Sequence, residues 1–281
     1  MAYKEPRTEI EWSRRAIINV VEVLQVHAES LTLIGAHAVL LRTMDLDVPR
    51  MPTGDGDFGV TPSLVSDLPS IETLLADAGY EHRTTARPGL WGRERYDEPD
   101  GKQSFREKID LLAPHGLSGT ASRSKRGVPA LQPAHGRLAV GNALGLELAA
   151  FNRSLVTITD FADPRLTADL HVAEIPALIL AKGSKIGERL REPRKGPVRA
   201  KDLGDLWRLM AVTDSAETAR VIEEFVDHAE VGAYVRQSVE WTAEVLRDPA
   251  SAERAKLAFD TFVDPAAIDQ LFGLWRDALA G

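Results

Sequence analysis

The sequence predicts an α+β fold: a small mixed β-sheet with helices, followed by an all-helical C-terminal half. Three observations predict it. Short β-prone runs alternate with helical periodicity up to about residue 165. From about Asp163 onward the apolar spacing is helical. The length, 281 residues, suits two modest domains better than one. The expected division is 1–165 for the mixed domain and 166–281 for the helical one, with no internal repeat or low-complexity tract.

Each element has its own signal. Thr8 with Glu11 reads as a capping box, and Ile10, Ile17, Val20, Val21, Leu24 and Ala28 follow at helical spacing, so the first helix is expected to end near Ser30. "LTLIG" (31–35) is a strand closing on Gly35, and "AHAVLLRTM" is a helix after a glycine turn. "VPRMPTGDG" is a Pro- and Gly-rich loop, and "DFGV" is the next strand. "LVSDLPSIETLLADAGY" predicts a helix ending at Gly79. "YEHRTT", "LWGRERY", "SFREKIDLLAP", "GRLAV" and "SLVTITD" read as sheet, with a hairpin at "YDEPDGK". Beyond residue 165, "EIPALILAKGSKIGERL", starting near Glu174, "AKDLGDLWRLMAV", "SAETARVIEEFVDHA" and "AAIDQLFGLWRDAL" are helical, and "REPRKGPVR" is a loop.

Composition removes several functions. With no cysteine, disulfides, thiolate metal sites and cysteine nucleophiles are excluded. The net charge of −8 argues against whole-chain attraction to nucleic acid, although a local basic patch can still hold phosphate. "MAYKEPRTEIEW" lacks the apolar core of a signal peptide, and no apolar run approaches the roughly 20 residues of a membrane span. The expectation is a soluble cytoplasmic protein without a membrane partner. No G-x-S-x-G, Walker A or H-E-x-x-H motif occurs.

The chemistry lies in "RMPTGDGDFGV" (50–60). Residues two apart in a strand share a face, so Asp55 and Asp57 bring two carboxylates together. They repel unless a cation lies between them, and magnesium takes carboxylate oxygens together with substrate phosphates. Two such ions about 3.5–4 Å apart can hold the attacking and leaving oxygens of a phosphoryl displacement. The alternative is a polar Gly-rich turn. "RTMDLDV" holds Asp45 and Asp47 at the same spacing, but Val48-Pro49 cuts that strand short. Asp110, after Lys108 in "REKIDLLAP", is a carboxylate in an apolar strand, which is costly without a partner or a task.

The order strand–Gly–helix, then R-x-x-T-x-D-x-D as "RMPTGDGD", then K-x-D-L as "KIDL", resembles the nucleotidyltransferase superfamily of the polymerase-β type. "AKGSKIGER…RAKDLGDLWRL" is similar to the later motif of the AbiEii-type toxins, through Lys182, Arg189, Lys201, Asp202, Asp205 and Leu206; the resemblance covers roughly residues 30–210. It implies a metal-dependent transfer of NMP from an NTP to a hydroxyl of tRNA or protein, by the toxin of a toxin–antitoxin or phage-defence pair with a cognate antitoxin. By position, Asp55, Asp57 and Asp110 are the catalytic residues and ligands of Mg2+ or Mn2+, with Asp110 helping to activate the attacking hydroxyl. The implied nucleotide-binding set is Gly35, His37, Thr53, Lys182, Lys185 and Arg189, with the NTP across the two halves. Asp202 is expected to organise the helical half.

The chain departs from the family in three places. Gly35-Ala36-His37 stands where Gly-Gly or Gly-Ser is usual, Gly56 replaces an Ile or Leu, and the arginine–threonine spacing is one residue longer. Two other readings stay open: a small-molecule, antibiotic-type nucleotidyltransferase, and a catalytically decayed nucleotide-binding regulator. The cluster Arg189, Arg191, Arg194, Lys195, Arg199 and Lys201 reads either as a solvated loop or as a triphosphate or RNA contact, and "SRSKRG" (122–127) reads as a solvated loop. Trp207 and Trp275 read as core.

Overall fold

The computed structural model describes residues 3–119 and 127–279; apart from Gly127, the basic stretch 122–127 lies outside the described residues. The chain is mixed α/β, and it divides into two compact units. Each is discontinuous in sequence: residues 1–37, 53–143 and 153–172 form the first, and residues 38–52, 144–152 and 173–281 the second. The division therefore differs from a single cut at 165.

The first unit is built on one mixed sheet. Its strands are β1 (Leu31–Ile34), β2 (Gly56–Val60), β3 (Glu81–His82), β4 (Leu90–Asp97), β5 (Gln103–Pro114), β6 (Gly141–Ala143), β7 (Arg153–Thr159) and β8 (Thr167–Ala173). The order is β3-β4-β5-β2-β1-β8-β7, with β6 also on β5. β1 runs antiparallel to β2 and parallel to β8, and β2 runs parallel to β5. The hairpin at "YDEPDGK" joins β4 to β5, which pair antiparallel from Leu90↔Asp110 to Asp97↔Gln103.

Helix α1 (Glu9–Val23) carries the expected capping box: Glu11 N–H donates to Thr8 Oγ1, and Thr8 N–H donates to Glu11 Oε2. A 3-10 segment, Gln25–Ser30, takes the place of its expected last turn. α1 covers one face of the sheet, and the contact is close at Gly56. A Cβ built there would lie 2.5 Å from Ile17 Cγ1 and 2.8 Å from Ile109 Cδ1. This is why a glycine stands where the resembled family has Ile or Leu. Phe58, Ile109, Leu111 and Ala113 are fully buried beside it.

Three expected elements differ. The helix expected over residues 64–80 is α3 (Ile71–Asp77), entered through the Ser70 cap, because Pro69 disfavours helix in the residue before it. "GRLAV" is not a strand. Gly89 N–H donates to Leu138 O and Trp91 Nε1 donates to Ala139 O, and the strand there is β6, just beyond. β8 lies where helix alone was expected.

Helix α2 (Gly35–Arg42) follows β1. In the second unit, the elements described after β8 are helical: α4 (Ile175–Arg191), α5 (Ala200–Ala211), α6 (Ser215–Val226), α7 (Gly232–Arg247), α8 (Pro249–Phe259) and α9 (Pro265–Ala278), with one 3-10 turn at Pro193–Lys195. α7 and α8 were not foreseen. The buried face of α7 includes Ser238 and Thr242, which break its apolar periodicity. Those small residues serve a close crossing with α4, since a Cβ on Gly183 would lie 2.0 Å from Thr242 Oγ1. Trp275 is buried and donates to Met210 O, and Trp207 packs edge-on to Phe259 with ring centroids 4.7 Å apart. Among the described residues no helix is long and apolar enough to cross a membrane.

Gly56→Leu is expected to destabilise the chain by about 1–3 kcal/mol in urea titration, the usual cost of overpacking. Adding Ile17→Ala, which empties the space the new side chain needs, should restore part of the loss.

Candidate metal centre

The parallel register of β2 on β5 sets Asp57 opposite Asp110, and its antiparallel register on β1 sets Asp57 opposite Ile34. Two carboxylates thus stand side by side on adjacent inner strands. Asp55 lies one residue before β2, on the same side as Asp57 by strand alternation. One carboxylate oxygen from each of Asp55, Asp57 and Asp110 lies within 4.8 Å of the others, and all three residues are half-buried. Such a set of hard oxygen donors suits Mg2+ or Mn2+.

Alternation also answers the cost of Asp110. In β5, Phe105, Glu107, Ile109, Leu111 and Ala113 are buried, while Lys108, Asp110 and Leu112 are only half-buried on the other face. The carboxylate therefore sits beside the apolar layer and not within it. Arg83, just past β3, is a partner there: its Nη2 donates to Asp110 Oδ1. Arg83 was absent from the sequence-derived set, because "YEHRTT" carries no sign of what faces it. Register supplies that: β3 pairs with β4, and Leu90 of β4 pairs with Asp110.

Gly35 opens α2 at φ +69°, and a Cβ built there would lie 2.0 Å from Asp57 Oδ2. The glycine expected to admit a triphosphate thus also makes room for an aspartate of the triad, and the same carboxylate lies at the start of a helix, where anions are favoured. Thr53 Oγ1 donates to the Asp55 carbonyl oxygen at 3.3 Å and steadies the loop before β2. Asp45 and Asp47 lie exposed in the turn region after α2, outside any strand.

His37, expected at the phosphate, is buried against Ser13 and Phe161. It is 1% exposed, with Nε2 2.7 Å from Ser13 Oγ, and its ring stacks on Phe161 at 6.3 Å. Burial, with the Arg14 charge beside it, pushes its pKa down to about 3, so it is neutral at pH 7 and brings no charge to an anion.

The second unit gathers the remaining expected residues into ion pairs. Lys182 and Asp205 are both buried, with Nζ 2.6 Å from Oδ2. Asp202, 1% exposed, accepts from Lys185 at 3.0 Å and from Arg189 at 2.5 Å. Burial raises its pKa, but Lys185, Lys182 and Arg189 outweigh that and hold it at about 2. Asp202 therefore organises the α4–α5 contact. In the loop cluster, Arg191 pairs with Glu244, Arg194 with Glu192, and Lys195 with Glu188 and Glu192. Much of the loop's positive charge is already matched by acidic neighbours.

No protein-family model matches the chain, and no curated protein is significantly similar to it.

Two expected outcomes test these placements. The unfolded chain takes a proton near pH 6.5 that folded His37 takes only near pH 3, so stability should fall as pH drops through that window; His37→Gln should flatten this part of a pH–stability curve measured by urea titration. Removing one partner of the buried Lys182–Asp205 pair, as in Asp205→Ala, should cost about 3–5 kcal/mol, and the double variant Lys182→Met with Asp205→Leu should cost less than Asp205→Ala alone.

Proposed function

We propose that the chain is a metal-dependent nucleotidyltransferase, with the polymerase-β-type domain in its sheet unit and the helical half following it. The observation that carries this reading is the Asp55–Asp57–Asp110 triad: three carboxylate oxygens within 4.8 Å, delivered by one strand register and beginning beside a strand–glycine–helix turn. A structural ion pair needs one acid, and three acids this close form the kind of oxygen set that takes a divalent cation.

On this reading Asp55, Asp57 and Asp110 hold Mg2+ or Mn2+, which when bound neutralises triphosphate charge. An acceptor hydroxyl oxygen forms a bond to the α-phosphorus of an NTP. The bond from that phosphorus to the bridging oxygen of the β-phosphate breaks, and pyrophosphate leaves with the electron pair. The hydroxyl proton passes to Asp110 or to water. The protein's task is to position these groups and stabilise their charge. The resemblance supplies the acceptor class, a hydroxyl of tRNA or protein, and the setting, a toxin paired with an antitoxin.

A second reading has specific support. His37 is buried and neutral, and Lys182, Lys185 and Arg189 are ion-paired, so the residues expected at the phosphates are engaged elsewhere. This favours a nucleotide-binding regulator whose catalysis has decayed.

One experiment separates the two. The chain is incubated with each α-labelled NTP, Mg2+ or Mn2+, and total tRNA or lysate. The transferase reading expects label on an acceptor, lost by at least about a hundredfold in a folded Asp57→Ala variant, the scale of losing a charge-stabilising group. NTP binding by calorimetry with no labelling of any acceptor supports the regulator instead, and absence of both overturns the two together.

A further inference from the structure

Arg83 sits at the triad without being a ligand. Its Nη2 donates to Asp110 Oδ1, while its Nε is buried and makes no hydrogen bond. Both side chains are partly screened from solvent, at 20% exposure for Arg83 and 17% for Asp110. The guanidinium therefore pairs with an oxygen of the carboxylate that the cation also needs. A permanently charged group cannot shed its proton to yield the site; it must be outcompeted.

The charge balance points the same way. Three carboxyl groups within 4.8 Å crowd negative charge, and the guanidinium beside Asp110 offsets part of it. Arg83 lies just past β3, the outermost strand on its side of the sheet, and not on the inner strands β2 and β5 that carry Asp57 and Asp110.

We propose that Arg83 is a built-in counter-ion for the triad: it holds Asp110 in the metal-free protein and competes with the divalent cation for it, so that metal loading displaces the guanidinium. This rests on the metal-centre reading above and adds a regulatory step to it. Metal affinity is lowered by the cost of breaking the pair, and the displaced cation is left beside the reacting phosphates.

The test is calorimetric titration of the full chain with Mn2+ alone, without nucleotide, for the wild type, Arg83→Gln, Arg83→Lys and Asp57→Asn. Arg83→Gln is expected to bind Mn2+ roughly tenfold more tightly than the wild type, the scale of one partly buried charge-assisted hydrogen bond. Arg83→Lys should fall between them, and Asp57→Asn should lose binding. The metal-free melting temperature of Arg83→Gln should be lower than that of the wild type, and saturating Mn2+ should narrow the gap. If the wild type binds Mn2+ in an Asp57-dependent way but both Arg83 variants bind it equally or more weakly, the competition is overturned and the metal centre stands. If neither the wild type nor Arg83→Gln binds Mn2+, both fall. If Arg83→Gln does not fold, Arg83→Lys decides: affinity at or below that of the wild type overturns the proposal.

Discussion

The site depends on a single registration, that of β2 lying parallel to β5 with Asp57 against Asp110. Strand periodicity is two, so a slip of one residue would turn Asp110 to the α1 face and Ile109 to the acidic one. That slip is blocked from the opposite side. Phe58, Ile109 and Leu111 are fully buried, and Gly56 admits Ile17 and Ile109 where no larger residue fits. The apolar face thus holds the polar one in place: the free energy of burying these side chains keeps the carboxylates close despite their repulsion.

The helical unit solves a different problem with the same restraint. It buries Asp202, Asp205, Lys182 and Arg208, and each has a partner of fixed geometry. Arg208 donates to the carbonyl oxygens of Thr43, Val48 and Pro49, which ties the Pro-bounded segment after α2 to α5. Buried charges of this kind specify an arrangement more than they strengthen it. The acid and base pattern that reads in the sequence as phosphate-binding chemistry is, within this unit, a network that sets how α4 and α5 face each other.

Legibility followed the reach of each signal. The capping box of α1, the strand–glycine–helix turn at Gly35 and the β4–β5 hairpin are local, and all could be read. Asp55 and Asp57 could be paired by spacing alone. Asp110 stood out as a carboxylate in an apolar strand, but its approach to Asp57 is a matter of strand order and came only with the family motif. Arg83 could not be found, since its contact depends on β3 joining β4 and β4 joining β5. The surroundings of His37 could not be read, because sequence places it in the first turn but does not say which way a helical side chain points; Ser13 and Phe161, from distant segments, hold its ring. α7 was hidden because its buried face carries Ser238 and Thr242, chosen to fit a glycine on α4 and not to repel water.

The strand order has a further effect on how the chain can be made and divided. β1 lies between β2 and β8, and Thr32 meets His171 only after most of the first unit has been synthesised. Until then one side of β1 presents unpaired backbone amides and carbonyls, which invite mispairing with other chains. A fragment ended at residue 165 would keep every member of the carboxylate triad and still lack the strand that closes this side. The separable piece of this protein, if one is to be made, has to run past Val172.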